Sequence, residues 1–162
     1  MGRNSVAWWK IVAAGVIGGV AATVATNLYQ ALAAPVLGQG ESDAEPSNEQ
    51  AADSAGKLAT GQRIPDAYKH VAGNVVHYAT GVTLGLGYAA LAARRPAVTT
   101  GFGVPFGLAV AVVLDELLVP AFGWGPWPTQ TPGATHVYGA TTHAVFGAVL
   151  EGGRRLTLAV LE

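Results

Sequence analysis

The sequence predicts an all-α integral membrane protein, a four-helix bundle made of two tandem helical hairpins. Three observations carry that expectation. Only 12% of the 162 residues are charged, about half the share usual in soluble domains. The charges cluster, leaving uncharged stretches over residues 11–40, 71–93, 96–114 and 117–150, and apolar runs of about 17–25 residues cross a bilayer as helices. A pattern of histidines and glycines also occurs twice. These runs argue against a soluble enzyme domain, and residues 1–162 read as a single membrane domain.

The first span covers residues 10–35. Its Ala31-Leu32-Ala33 ahead of Ala34-Pro35 also permits a rival reading as a secretory signal with an A-x-A site, but the uncharged run is longer than a signal core. Residues 39–66 form an acidic loop with Glu41, Asp43, Glu45, Glu49, Asp53 and Asp66. No apolar period runs through it, so a mostly disordered spacer is expected. The second span covers 70–93 and the third 96–119, joined by the basic turn Arg94-Arg95-Pro96. Pro126, Pro128 and Pro132 cannot continue a helix, and Trp124 and Trp127 suit the headgroup layer, so this loop is expected along the outer surface. The fourth span covers 134–151.

Arg3, Lys10, Arg94, Arg95, Arg154 and Arg155 share one side if the chain crosses four times. The positive-inside bias then makes both termini cytoplasmic. Glu151 sits near that end, three and four residues from Arg154 and Arg155, a helix-spaced ion pair. With no cysteine there is no disulfide framework or thiolate ligand. A pI near 6.4 gives no footprint for nucleic acid, and the partner is the lipid bilayer. Four thin, glycine-rich helices also leave room for a homo-oligomer or a membrane partner subunit.

The repeat pairs His70-Val71-x-Gly73-x-x-x-His77-x-x-x-Gly81 with His136-Val137-x-Gly139-x-x-x-His143-x-x-x-Gly147, and it takes up every histidine. Spans one and three agree more weakly, either as Pro35-Val36-Leu37-Gly38 with Pro120-Ala121-Phe122-Gly123 or as Gly15, Gly19 and Asn27 with Gly103, Gly107 and Asp115. Both registers stand. Seven residues make nearly two helical turns, about 10 Å, so each histidine pair shares a face with its glycines. Small residues four apart let helices approach closely, which makes Gly73, Gly81, Gly103, Gly107, Gly139 and Gly147 the packing positions. The histidines and Asp115 are then expected to point inward, since a charge facing lipid costs on the order of 3 kcal/mol or more.

The candidate cluster is therefore His70, His77, Asp115, Glu116, His136 and His143, in the outer half of the bundle, with Asn27 and Asn74 at similar depth. Interhelical hydrogen bonding, a protonatable path or ion site, and a metal or haem site are three readings of it. The last would use His77, His143 and Asp115 as candidate ligands and make the chain a small cofactor-holding subunit of a larger complex. No tight spacing such as H-x-x-x-H supports it, and no cofactor follows from the residues. Hydrolytic catalysis is weaker still, because no serine lies beyond residue 54, so no catalytic residue is assigned and a non-enzymatic role is expected.

The order His77, Gly87-Tyr88, Arg94-Arg95-Pro96, Gly103 to Gly107, Asp115-Glu116, Pro120, Gly123, His136, His143, Glu151 and Arg154-Arg155 resembles the YagU-type inner-membrane proteins. The resemblance covers residues 67–155. It implies a bacterial inner-membrane protein with a link to acid tolerance, which agrees with reading the outer cluster as pH-responsive or ion-handling in acid or envelope stress; as a multi-pass protein of that membrane, the chain would place residues 39–66 in the periplasm. It supplies no catalytic residues.

Overall fold

The computed structural model describes residues 7–37 and 45–162. Arg3, Gly38, Glu41 and Asp43 lie outside the described residues. The fold is all-α: α1 (Trp8–Val36), α2 (Ser47–Thr60), α3 (Asp66–Arg94), α4 (Val104–Ala111), α5 (Val119–Ala121) and α6 (Gly133–Leu161). Three helices are long and apolar enough to cross a membrane: Trp8–Val36, Asp66–Arg94 and the continuous Val104–Ala121. α6 has the same 29-residue length as α1 and α3. Its two histidines, Glu151 and two arginines lower its hydropathy.

Local chemistry explains most boundaries. α3 follows Pro65, carries Asp66 in its first turn and Arg94 in its last, matching the helix dipole at both ends. Pro132 leads into α6 in the same way. Residues 96–103, expected to be helical, are not part of α4. Pro96–Thr99 makes a 3-10 turn, and Gly101, Phe102 and Gly103 then adopt left-handed conformations, with φ of 70°, 55° and 77°. Glycine takes this conformation freely, whereas Phe102 is held in it under Arg155, whose guanidinium lies 5.0 Å from the ring centre.

Two further features differ from expectation. The acidic loop holds a helix: α2 has Glu49 in its first turn, Lys57 in its last and Gly61 as a left-handed C-terminal cap. Ala-rich composition favours such a helix, and Ala52 and Asp53 are buried where it packs on α3. Between α4 and α5, Val112–Leu118 is π-helical. Pro120 lacks an N–H and would clash with the carbonyl four residues back, that of Glu116, and a π turn relieves this conflict.

α1 packs along both α3 and α6, and α6 along α4. Each contact joins backbones. Gly15 and Gly19 meet Gly85 and Gly81 of α3, Gly18 meets Leu150 and Gly153 of α6, and Gly103 and Gly107 meet Gly147 and the His143 carbonyl. All three pairings are antiparallel. Ala22, Tyr88, Phe146 and Leu150 form the core, with the Tyr88 and Phe106 rings 4.7 Å apart. Outward faces are apolar, as at Val12, Val20, Leu28, Val75, Val112 and Val160, which suits lipid contact.

A methyl group at Gly107 would overlap the His143 carbonyl, whereas at Gly87 it would meet open space. Gly107→Ala should therefore destabilise by about 1–3 kcal/mol, and Gly87→Ala should be neutral or stabilising by up to about 1 kcal/mol. Thermal melting in detergent distinguishes them. Equal effects would mean that α4 and α6 are not in backbone contact.

Candidate functional site

Because the helices approach through glycine, polar side chains one or two turns further out meet across them. His77 Nε2 lies 3.0 Å from Asn27 Oδ1, and the Asn27 amide faces the Tyr78 hydroxyl at 3.5 Å. On the other hairpin, His143 Nε2 lies 3.0 Å from Asp115 Oδ2, and the absent side chain of Gly139 leaves room for that carboxylate. Both imidazoles thus turn Nε2 toward an oxygen. The Nδ1 of His143 is buried with no hydrogen-bond partner.

The π turn carries Asp115 and Glu116 side by side toward α6. Glu116 Oε1 reaches His136 Nδ1 at 2.7 Å, while His136 Nε2 faces the Pro128 carbonyl at 3.1 Å. A carbonyl and an ionised carboxylate only accept hydrogen bonds. With Glu116 ionised, both nitrogens of His136 must carry hydrogen.

His70 does not join this group. Its side chain is 86% exposed, 3.5 Å from Glu49 of α2 and paired with Asn74 on its own helix. It turns outward because α2, not lipid, covers this end of α3, with Gly73 packed against Asn48 and Glu49. The expectation that all four histidines and Asp115 point inward is corrected here: His70 faces out, and the Asp115 side chain is 42% exposed. Among the described residues, no three His, Asp or Glu side chains converge as a metal site. His77 is engaged by Asn27, and Asp115 by His143.

Sequence reasoning gave Tyr88 no role in a site and placed Asn27 only at the depth of the cluster and in register with Asp115, eight residues after Gly19 as Asp115 is eight after Gly107. Tyr88 donates to Glu151 Oε2 at 2.9 Å. The fully buried Glu151 also receives Arg154 Nε at 2.7 Å and Nη2 at 2.9 Å, and Arg155 Nε at 2.5 Å. The helix-spaced ion pair is thus a network of three side chains on one carboxylate.

The end of the bundle opposite Arg154 is closed by α2. Gln50 donates to the Trp124 carbonyl at 3.1 Å and Trp124 Nε1 to Ser54 at 2.9 Å. Asp53 accepts from Arg63 Nε at 2.7 Å and the Ile64 amide at 3.0 Å. Burial alone would raise the Asp53 carboxyl. The hydrogen bonds from Arg63 and Ile64 and the charges of Arg63 and Lys69 outweigh it and hold the group below its ordinary value.

Two predictions follow from these networks. A carboxyl depressed on folding contributes stability that is complete above its unfolded value and disappears as pH falls through its folded value. α2 should therefore be protected from amide exchange at pH 6 and lose protection below roughly pH 4, and Asp53→Asn should remove that pH dependence. Glu151→Gln leaves two guanidiniums without their counter-charge and should cost about 3 kcal/mol or more. Tyr88→Phe removes one hydrogen bond and should cost about 1–3 kcal/mol. Chemical denaturation that ranked Tyr88→Phe as the more damaging would contradict the assignment of Glu151 as the centre of the network.

Residues 42–152 match the family described as a protein of unknown function, DUF1440, and the chain belongs to that family. No curated protein and no solved structure matches it.

Proposed function

We propose that this member of an uncharacterised family is a non-enzymatic, pH-responsive or ion-handling protein of the bacterial inner membrane. In this reading the chain crosses four times, with both termini cytoplasmic, as two tandem hairpins. Antiparallel packing of α6 along both α1 and α4 supports the fourth crossing. Lys10, Arg94, Arg95, Arg154 and Arg155 fall at one end of the helices, which supports the orientation. The equivalent pairs Asn27–His77 and Asp115–His143, each at 3.0 Å, support the internal repeat and favour the register that aligns Gly19 with Gly107.

One observation carries the functional reading. Two imidazoles from different hairpins each turn Nε2 to an oxygen at 3.0 Å, and one of them sits beside a carboxylate with a buried, unpartnered Nδ1. Buried polar groups are normally satisfied, and ionisable groups inside a membrane mark sites of function by default. Imidazole changes charge near neutral pH, so the group answers acidity at the outer side. A role in acid or envelope stress, as the resemblance to YagU-type proteins implies, is the physiological form of this reading. His136–Glu116 adds a second acid-sensitive contact nearer the interface.

The test replaces His77 and His143 together by glutamine and follows proton or cation flux in liposomes between pH 5 and 8. The parent should show a pH-dependent change that the double variant loses, while melting temperature and membrane insertion stay close to the parent's. If the double variant keeps the parent's pH profile, the cluster is structural. If purified protein carries a Soret band or stoichiometric metal, the chain is instead a cofactor holder.

A further inference from the structure

The basic end of the helices holds a cleft that the histidine cluster does not use. It lies between α1, α3 and α6, has a volume of about 50 Å³, and is lined by Ile11, Ala14, Ala89, Ala93, Leu158 and Arg154. All of these except Arg154 are apolar. Arg154 spends Nε and Nη2 on Glu151, and among the described residues no acceptor meets its Nη1. Its side chain is only 16% exposed. The guanidinium is therefore fixed in place, partly enclosed, and presents a free edge beside apolar walls.

The charge balance there is positive, with Lys10, Arg94, Arg95, Arg154 and Arg155 against Glu151 and Glu162. Glu151 is shared by Arg154 and Arg155, so one carboxylate faces two guanidiniums. Arg94 and Arg95 stand exposed at the end of α3, and Lys10 donates to the Leu161 carbonyl and lies over the Trp9 ring. We propose that this cleft is a binding site for an anionic phospholipid, with the headgroup phosphate on the free edge of Arg154 and the apolar walls taking the adjoining glycerol and acyl carbons. A guanidinium fork suits phosphate, and basic pockets between membrane helices hold anionic headgroups. A soluble anion would leave the apolar walls uncovered, and a zwitterionic lipid would leave the excess positive charge unbalanced. The inference rests on the membrane-embedded reading and is independent of the pH response.

Native mass spectrometry of the full chain in detergent, with phosphatidylglycerol, phosphatidylcholine or inorganic phosphate added, tests it. Phosphatidylglycerol should be retained preferentially, and 1 mM inorganic phosphate, roughly a free-solution excess over micromolar lipid sites, should not displace it. The variant Arg94→Gln/Arg95→Gln should weaken retention by about fivefold per charge removed. Ala93→Leu, which fills the cleft and alters no charge, should abolish the preference. If it fails to fold, Arg154→Lys keeps a charge on Glu151 while removing the fork and should abolish it too. Equal retention of both lipids, displacement by inorganic phosphate, or a preference that survives Ala93→Leu or Arg154→Lys would overturn the site. Release of the chain from membranes by alkaline carbonate would instead overturn the membrane-embedded reading, so the two failures are separable.

Discussion

Backbone contact between helices is the constraint from which the rest of this structure follows. Helices in lipid gain nothing from hiding apolar surface from each other, so their association relies on close packing and interhelical polar contacts. α1 meets this demand on two faces at once, with Gly15 and Gly19 toward α3 and Gly18 toward α6. α4 and α6 repeat it through Gly103, Gly107 and Gly147. Such contacts fix register as well as distance. Once Gly19 lies on Gly81, Asn27 can reach His77 two turns further out, and Asp115 reaches His143 from Gly107 in the same way.

Among the described residues, interhelical polar contacts gather mainly at two levels, and each is handled differently. Toward the end that α2 covers, hydrogen bonds join helix to helix: Asn27 to His77, Asp115 to His143, and Tyr29 to Thr141 at 2.8 Å. At the basic end, one fully buried carboxylate is surrounded by two guanidiniums and a phenol. An isolated carboxylate there would be very costly, and the three donors are what make its burial tolerable. Tyr88 belongs to both the apolar core and this network, so the network holds α3 to α6 even though the two helices share little backbone contact.

The sequence made the long helices legible because lipid demands uncharged runs, and the paired His/Gly spacing pointed to His77 and His143. What escaped it has physical reasons. α2 is Ala-rich but carries its acids without an apolar period, and its order comes from Asp53 with Arg63 and from docking on Trp124, which are long-range contacts. His70 has the same local spacing as His136, yet α2 covers one end of α3 and turns His70 outward, whereas the π turn supplies Glu116 to His136. The start of α4 slipped from residue 96 to Val104 because Gly101, Phe102 and Gly103 form a left-handed turn, and an apolar run does not reveal backbone handedness. The π turn follows from Pro120, a cue that shifts register without changing composition.

The two hairpins differ at the one position where charge matters most. Asn27 and Asp115 occupy corresponding places, eight residues beyond Gly19 and Gly107, and each meets an imidazole at 3.0 Å. His143 faces a carboxylate, whereas His77 faces only an amide, so the two histidines have unequal partners. In the proposed reading any change at these two imidazoles acts between α3 and α6, across the α1–α6 glycine contact that joins the halves.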